Sequence, residues 1–96
     1  LINVDYKVSK AFEKISTKSN RYLENCFELA FSIIKKTDIY KFINGPISKK
    51  NFLNKKYLGI TEYVSQKFNT KKSAMLIYNK KLSVCPVTTH LPLKLV

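Results

Sequence analysis

Apolar residues recur at helical spacing in the first third of the chain and predict one long helix. Ser19 or Asn20 can cap its start, because their side chains accept hydrogen bonds from the free N–H groups of a first turn. Lys35 and Lys36 close it, where positive charge is favourable near the negative end of the helix dipole. The apolar positions lie on one broad face. They are Tyr22, Leu23, Cys26, Phe27, Ala30, Ile33 and Ile34.

Short apolar runs separated by turn-forming residues surround this helix. Residues 1–4 have the composition of the end of a strand, and residues 5–18 that of a connection. Residues 39–43 predict a short strand. Asn-Gly-Pro then shapes a strand-to-helix turn, and a brief helix over residues 47–54 carries Phe52 and Leu53 on one side.

The last third predicts a helix followed by a hairpin. Thr61 can cap a helix that runs through Phe68, after a loop over residues 54–59. Residues 73–78 and 82–87 predict two strands, joined by a tight turn in which Asn79 tolerates a positive φ. The first of these strands has an unbroken apolar run, so we expect it to be covered on both faces. This order of elements indicates an α/β or α+β layer.

Length and composition indicate one small packed unit. The chain has 96 residues, and 45% hydrophobic residues are enough for a core. It starts at Leu1, and we expect a single partial domain over residues 1–96, an internal segment of a longer chain. The alternative is a complete small domain whose initiator Met has been removed.

The net charge of +12 suggests an anionic partner at first sight. The residue types argue against nucleic acid, because 17 residues are Lys and only Arg21 is Arg, whereas base readout favours Arg. The Lys pairs fall at element ends and predict solvated edges. No apolar stretch is long enough for a membrane span. Cys26 and Cys85 show no paired spacing, which suits a reducing, cytoplasmic compartment.

His90 is the one histidine of the chain and follows the second predicted strand of the hairpin. A lone histidine is most often a surface or satisfied core residue. At the end of a strand, however, an imidazole is well placed to bind a metal or act as an acid or base. Glycine occurs only at 45 and 59, so neither a GxGxxG motif nor a P-loop is present.

Three motifs in order give the chain a family resemblance. They are Asn-Gly-Pro-Ile-Ser-Lys at 44–49, Gly-Ile-Thr-Glu-Tyr at 59–63 and Thr-Thr-His-Leu-Pro-Leu at 88–93. Together they resemble the 4-hydroxythreonine-4-phosphate dehydrogenase family over about residues 20–96. The resemblance implies a fragment of an isopropylmalate-dehydrogenase-like α/β/α sandwich. It also implies NAD, a divalent metal (Zn, Mg or Co), a phosphorylated small-molecule substrate, a homodimer when full length, and no nucleic-acid or membrane partner.

The resemblance assigns roles to particular residues. It makes His90 a metal ligand, with the other ligands beyond Val96, and Thr61 a substrate contact. Thr61 is equally placed to be a plain helix cap, and the two roles are compatible. Lys49 matches a position near the active cleft. No residue of this chain is assigned as a catalytic acid or base.

Ile60 departs from the family pattern, which has a substrate-binding His at this position. The isoleucine side chain cannot form a hydrogen bond, so either the substrate is bound more weakly, or another side chain substitutes, or the substrate differs. The first alternative function is therefore a related dehydrogenase of another phosphorylated four-carbon acid. The second is a non-enzymatic basic nucleic-acid-binding module. We expect the isolated 96-residue chain to be inactive.

Overall fold

The computed structural model describes residues 1–90 and 92–95 and divides into two compact units, Leu1–Lys56 and Tyr57–Val96. The first unit contains a 3-10 turn at Thr17–Ser19 and two helices, which are α1 at Asn20–Lys36 and α2 at Lys49–Phe52. The second unit contains helix α3 at Ile60–Lys67, strands β1 at Ile77–Tyr78 and β2 at Ser83–Val84, and a 3-10 turn at Leu93–Leu95. This mixed composition is compatible with an α/β class.

Helix α1 confirms the prediction from helical spacing. Ser19 holds the N-cap position, although its side chain makes no capping hydrogen bond, and Lys35 and Lys36 lie in the last turn. Phe27 and Phe31 are the buried residues of the helix. The buried face is therefore centred on two aromatic rings, of which the predicted set contained only Phe27.

The core of the first unit is a cluster of phenylalanines from α1 and α2. The ring centroid of Phe27 lies 5.6 Å from that of Phe31 and 5.5 Å from that of Phe52. Phe42 adds a ring 5.7 Å from Phe27 and keeps 37% of its surface exposed. Leu53, directly after α2, is also buried. Face and edge contacts of this kind stabilise a small core beyond the area that they bury.

One hydrogen bond ties the two helices of this unit together. The Asn20 side-chain amide donates to the carbonyl oxygen of Asn51 over 2.8 Å. Helix α2 itself is shorter than the predicted 47–54, since its four residues end at Phe52. The expected placement of Phe52 and Leu53 on an inward side is confirmed.

The prediction of strands in the first unit is wrong. Residues 1–4 and 39–43 take no regular secondary structure, and Ile39, Tyr40 and Ile43 are exposed. A β-strand forms only where its backbone N–H and C=O groups hydrogen-bond to a neighbouring strand. Within the described chain the residues of β1 and β2 pair only with each other, so the 39–43 segment contributes the Phe42 ring to the core and no ladder.

Helix α3 begins two residues earlier than predicted. Its N-cap is Gly59 and its C-cap is Phe68, so Thr61 occupies the second helical position and does not cap the helix. The helix buries Tyr63, which packs edge-on against the Tyr57 ring with centroids 5.3 Å apart. Asn69 ends the segment with a φ of 52°.

The predicted hairpin is present but much shorter. Ile77 pairs with Val84 and Tyr78 with Ser83, and the Asn79 amide donates to the Leu82 carbonyl across the turn. The Asn79 side chain accepts from the Lys81 amide, which stabilises the turn without a positive φ at Asn79. The expectation of coverage on both faces is wrong within this chain, because both residues of each strand are exposed.

A search of the described residues finds no helix with the length and apolar character of a membrane span.

Candidate functional site

A cleft of about 480 Å³ in the second unit contains the residue that the sequence singled out, His90. Thr88 and Thr89 lie beside it on the same segment, Glu62 comes from α3, and Lys71 from the loop before the hairpin. The cleft therefore brings the Gly-Ile-Thr-Glu and Thr-Thr-His elements together, although they are far apart in sequence.

His90 is accessible within this cleft. Its side chain is 37% exposed, and its Nε2 atom lies 3.9 Å from Oε1 of Glu62. The predicted strand over 82–87 is regular only at Ser83–Val84, so the residues just before His90 form an irregular segment. Exposure and a nearby carboxylate leave the imidazole available to a ligand.

Glu62 is the carboxylate of the cleft and lies in the first turn of α3. Its Oε1 atom accepts a hydrogen bond from the Thr89 hydroxyl over 3.4 Å. Its Oε2 atom is buried and has no hydrogen-bond partner among the described residues. Negative charge in the first turn is favourable next to the positive end of the helix dipole, which offsets part of the cost of an unpaired buried oxygen.

Gly59 allows these groups to approach the helix start. A Cβ at this position would lie 2.9 Å from Oε2 of Glu62 and 3.2 Å from Nε2 of His90. The φ of Gly59 is −161°, an extended conformation open to any residue, so space rather than backbone freedom favours glycine here.

Sequence reasoning missed Glu62 and Gly59 as members of the site. The available signal was their spacing, since a glutamate three positions after an N-cap is typical of a capping box, whose carboxylate folds back toward the helix start. In this structure Glu62 has that position without the capping bond, since its Oε1 atom accepts from the Thr89 hydroxyl instead and its Oε2 atom has no partner among the described residues.

The other predicted site residues lie at helix starts. Thr61 is half-buried in the first turn of α3, directly after half-buried Ile60. Lys49 is exposed and opens α2 in the first unit. A separate, mainly apolar cleft of about 250 Å³ in that unit includes Cys26, Phe42 and Pro46.

The donor types in the His90 cleft suit a divalent cation. Imidazole nitrogen and carboxylate oxygen are ligands of zinc, and carboxylate oxygen is preferred by magnesium. The buried, unpartnered Oε2 of Glu62 places carboxylate charge beside the imidazole, which would favour a bound cation there. Among residues 1–90 and 92–95, however, no three His, Cys, Asp or Glu side chains form a group that could hold a metal. The cleft offers part of a site.

A comparison with known protein families identifies the family to which the chain belongs. The model of the family described as pyridoxal phosphate biosynthetic protein PdxA matches residues 1–96. The chain belongs to this family. The match confirms the resemblance that the three motifs indicated.

Two curated PdxA relatives carry the same name, 4-hydroxythreonine-4-phosphate dehydrogenase. The protein from Sulfurihydrogenibium sp. (strain YO3AOP1) is 33% identical over 96 residues, covering 98% of this chain and 29% of the relative. The protein from Aquifex aeolicus (strain VF5) is 41% identical over 61 residues, covering 59% of this chain and 18% of the relative. The chain thus spans less than a third of the length of these relatives. No solved structure matches it significantly.

Proposed function

We propose that the chain is one part of an NAD-dependent, divalent-metal-dependent dehydrogenase of pyridoxal phosphate biosynthesis. The enzyme oxidises 4-phosphohydroxy-L-threonine, and the oxidised product then loses its carboxylate. The family match over residues 1–96 carries this proposal, and the shared name of the two relatives supports it. The proposal includes an isopropylmalate-dehydrogenase-like α/β/α sandwich, to which residues 1–96 contribute a single partial domain.

His90 holds the divalent metal in this proposal. Its support is the accessible imidazole in a cleft that also contains a carboxylate with an unsatisfied oxygen. The remaining protein ligands come from outside this chain, because a functional site needs about three. A bound Zn, Mg or Co ion supplies Lewis-acid polarisation of the substrate hydroxyl and of the ketone formed from it.

Thr61 binds the substrate in this proposal. It lies in the first turn of α3, where backbone N–H groups without an intrahelical partner and the helix dipole favour an anionic group. Its hydroxyl can donate a further hydrogen bond to a phosphate or carboxylate oxygen. Lys49, exposed at the start of α2, supplies an ammonium that attracts the same class of ligand.

NAD, the second subunit and the compartment complete the proposal. The family resemblance assigns NAD binding mainly to other parts of a homodimeric enzyme, at a site that does not use a GxGxxG motif. Cys26 and Cys85 are free thiols, which supports a reducing cytoplasm.

Ile60 favours a second candidate substrate. It opens α3 beside Thr61 and offers no polar atom where the family has a substrate-binding His. A related phosphorylated four-carbon acid that needs no hydrogen bond at this point fits the same cleft. This candidate keeps the dehydrogenase chemistry and changes only the substrate.

Substrate-dependent NADH formation by the complete protein tests the proposal. We expect turnover of 4-phosphohydroxy-L-threonine that requires added divalent metal and is lost in His90→Ala. Turnover of another phosphorylated four-carbon acid in its place would favour the second candidate. Absence of NADH formation with every such acid, in metal-loaded protein, would contradict the dehydrogenase assignment.

A further inference from the structure

We propose that Glu62 is a positioning residue for His90, and that the absence of a side chain at Gly59 leaves room for the Glu62 carboxylate. The inference rests on the metal-binding role proposed for His90. It adds a carboxylate from α3 that orients the imidazole and places negative charge beside it.

The contacts of the Glu62 carboxylate point toward His90. One oxygen accepts from the Thr89 hydroxyl at 3.4 Å and lies 3.9 Å from Nε2 of His90. The second distance exceeds a hydrogen bond, so in this arrangement the carboxylate acts on the ring through its charge. Thr89 precedes His90 directly, so its hydrogen bond also fixes the backbone that carries the imidazole.

A helix-capping role alone does not account for this arrangement. Glu62 is three residues after the N-cap of α3, the position at which a glutamate normally bonds the N-cap backbone N–H. Its Oε1 atom is instead bonded to Thr89, and its Oε2 atom is buried without a hydrogen-bond partner in the described part of the chain. The carboxylate is therefore directed to the cleft, and the capping hydrogen bond to the start of α3 is not made.

Carboxylates beside metal-binding histidines have a known physical effect. They hold the ring orientation and raise the basicity of the ligating nitrogen, and their loss weakens metal binding about 10- to 100-fold. Glu62 is the one carboxylate that the described structure places in the His90 cleft. Among the described residues it is therefore the one placed to supply that effect.

Gly59 gives an independent way to move this carboxylate. The atoms that an alanine Cβ would meet are Oε2 of Glu62 at 2.9 Å and Nε2 of His90 at 3.2 Å, both at the far ends of side chains. The extended backbone of Gly59 accepts alanine. Gly59→Ala should therefore displace the Glu62 carboxylate and leave α3 folded.

The experiment measures zinc affinity of the complete protein, stripped of metal, by competition with a chromophoric chelator. The Co²⁺ absorption spectrum reports the ligand environment, and thermal unfolding without metal reports folding. The variants are Glu62→Gln, which keeps the size of the side chain and one acceptor oxygen but removes the charge, and Gly59→Ala. Glu24→Gln on exposed α1 surface and Gly45→Ala, whose Cβ meets no atom within 4 Å, are matched controls.

We expect Glu62→Gln and Gly59→Ala each to weaken zinc affinity about tenfold or more and to alter the Co²⁺ spectrum. Unfolding without metal should change little, and both controls should match the unsubstituted protein. Should Gly59→Ala fail to fold, Glu62→Gln decides.

Three results would overturn the inference, and they differ in their consequence for the proposed function. Loss of zinc binding in His90→Ala, with normal affinity and spectrum in Glu62→Gln, refutes the role of Glu62 and leaves the proposed function intact. Normal zinc binding in His90→Ala removes the metal role of His90 itself. A Glu62→Gln defect that only follows a loss of thermal stability would make Glu62 a helix cap and also refute the inference.

Discussion

Residues 1–56 and residues 57–96 differ in the kind of side chain that they group together. Within the described chain, the first unit buries Phe27, Phe31, Phe52 and Leu53, whereas Tyr63 is the one buried large apolar side chain of the second. The second unit instead places an imidazole, a carboxylate and a threonine hydroxyl around a cleft. A substitution in the first unit should therefore cost stability, and one in the cleft should cost ligand binding.

Phe27→Ala should produce the largest change in stability. Phe27 is 4% exposed and contacts the rings of Phe31, Phe42 and Phe52. We expect a loss of about 3 kcal/mol in the free energy of unfolding, from lost burial and the cavity left behind. Guanidinium unfolding followed by circular dichroism measures it. Phe12→Ala, at a fully exposed ring, is the control and should be near neutral; equal losses would remove the contrast between core and surface in the first unit.

His90→Ala should show the opposite behaviour in the second unit. With 37% of the side chain exposed, the imidazole contributes little packing, so thermal unfolding should shift little. Metal content, measured by mass spectrometry, and NADH formation should fall together. Cys85→Ala, which removes an exposed potential ligand of the same unit, should retain both. Full metal occupancy and normal turnover in His90→Ala would leave His90 with a structural role only.

Ile60→His sharpens the choice between the two substrates. If 4-phosphohydroxy-L-threonine is the substrate, the added donor should tighten its binding by about 1 kcal/mol, a roughly fivefold fall in KM. Ile60→Leu keeps the position apolar and should leave KM unchanged. Steady-state kinetics with both variants tests this. An unchanged or higher KM in Ile60→His would favour a different phosphorylated acid.

Lys55→Gly should give the smallest effect of these substitutions, and we expect it to increase the free energy of unfolding. Lys55 has a φ of 59°, a left-handed conformation that strains a side chain with a Cβ. Glycine relieves this strain but gains freedom in the unfolded chain, so we expect a net stabilisation of about 0.5 kcal/mol. Lys56→Gly, at a residue without a positive φ, should instead destabilise by a similar amount. Chemical unfolding of the two variants in parallel gives the comparison, and a loss in Lys55→Gly would show that the turn does not require this geometry.

The sequence predicted those features that depend on local spacing. Helix α1 followed from its apolar period, and the turn near Asn79 followed from its composition. The segment at 39–43 did not become a strand, because pairing depends on a neighbour that composition does not reveal. His90 was found through its motif, whereas Glu62 was missed, since its place in the cleft depends on how α3 meets the segment before His90.

The exposed hairpin of β1 and β2 affects how the 96-residue chain behaves in solution by itself. Leu76, Ile77 and Tyr78 are each more than 60% exposed, at 63%, 61% and 71%, and each strand pairs along one edge in the described chain. Apolar strands with an open edge are templates for intermolecular β-pairing and aggregation. Lys80 and Lys81 at the turn, with the net charge of +12, oppose that association through repulsion. Because salt screens this repulsion, the segment should remain monodisperse in dilute buffer and self-associate as ionic strength rises.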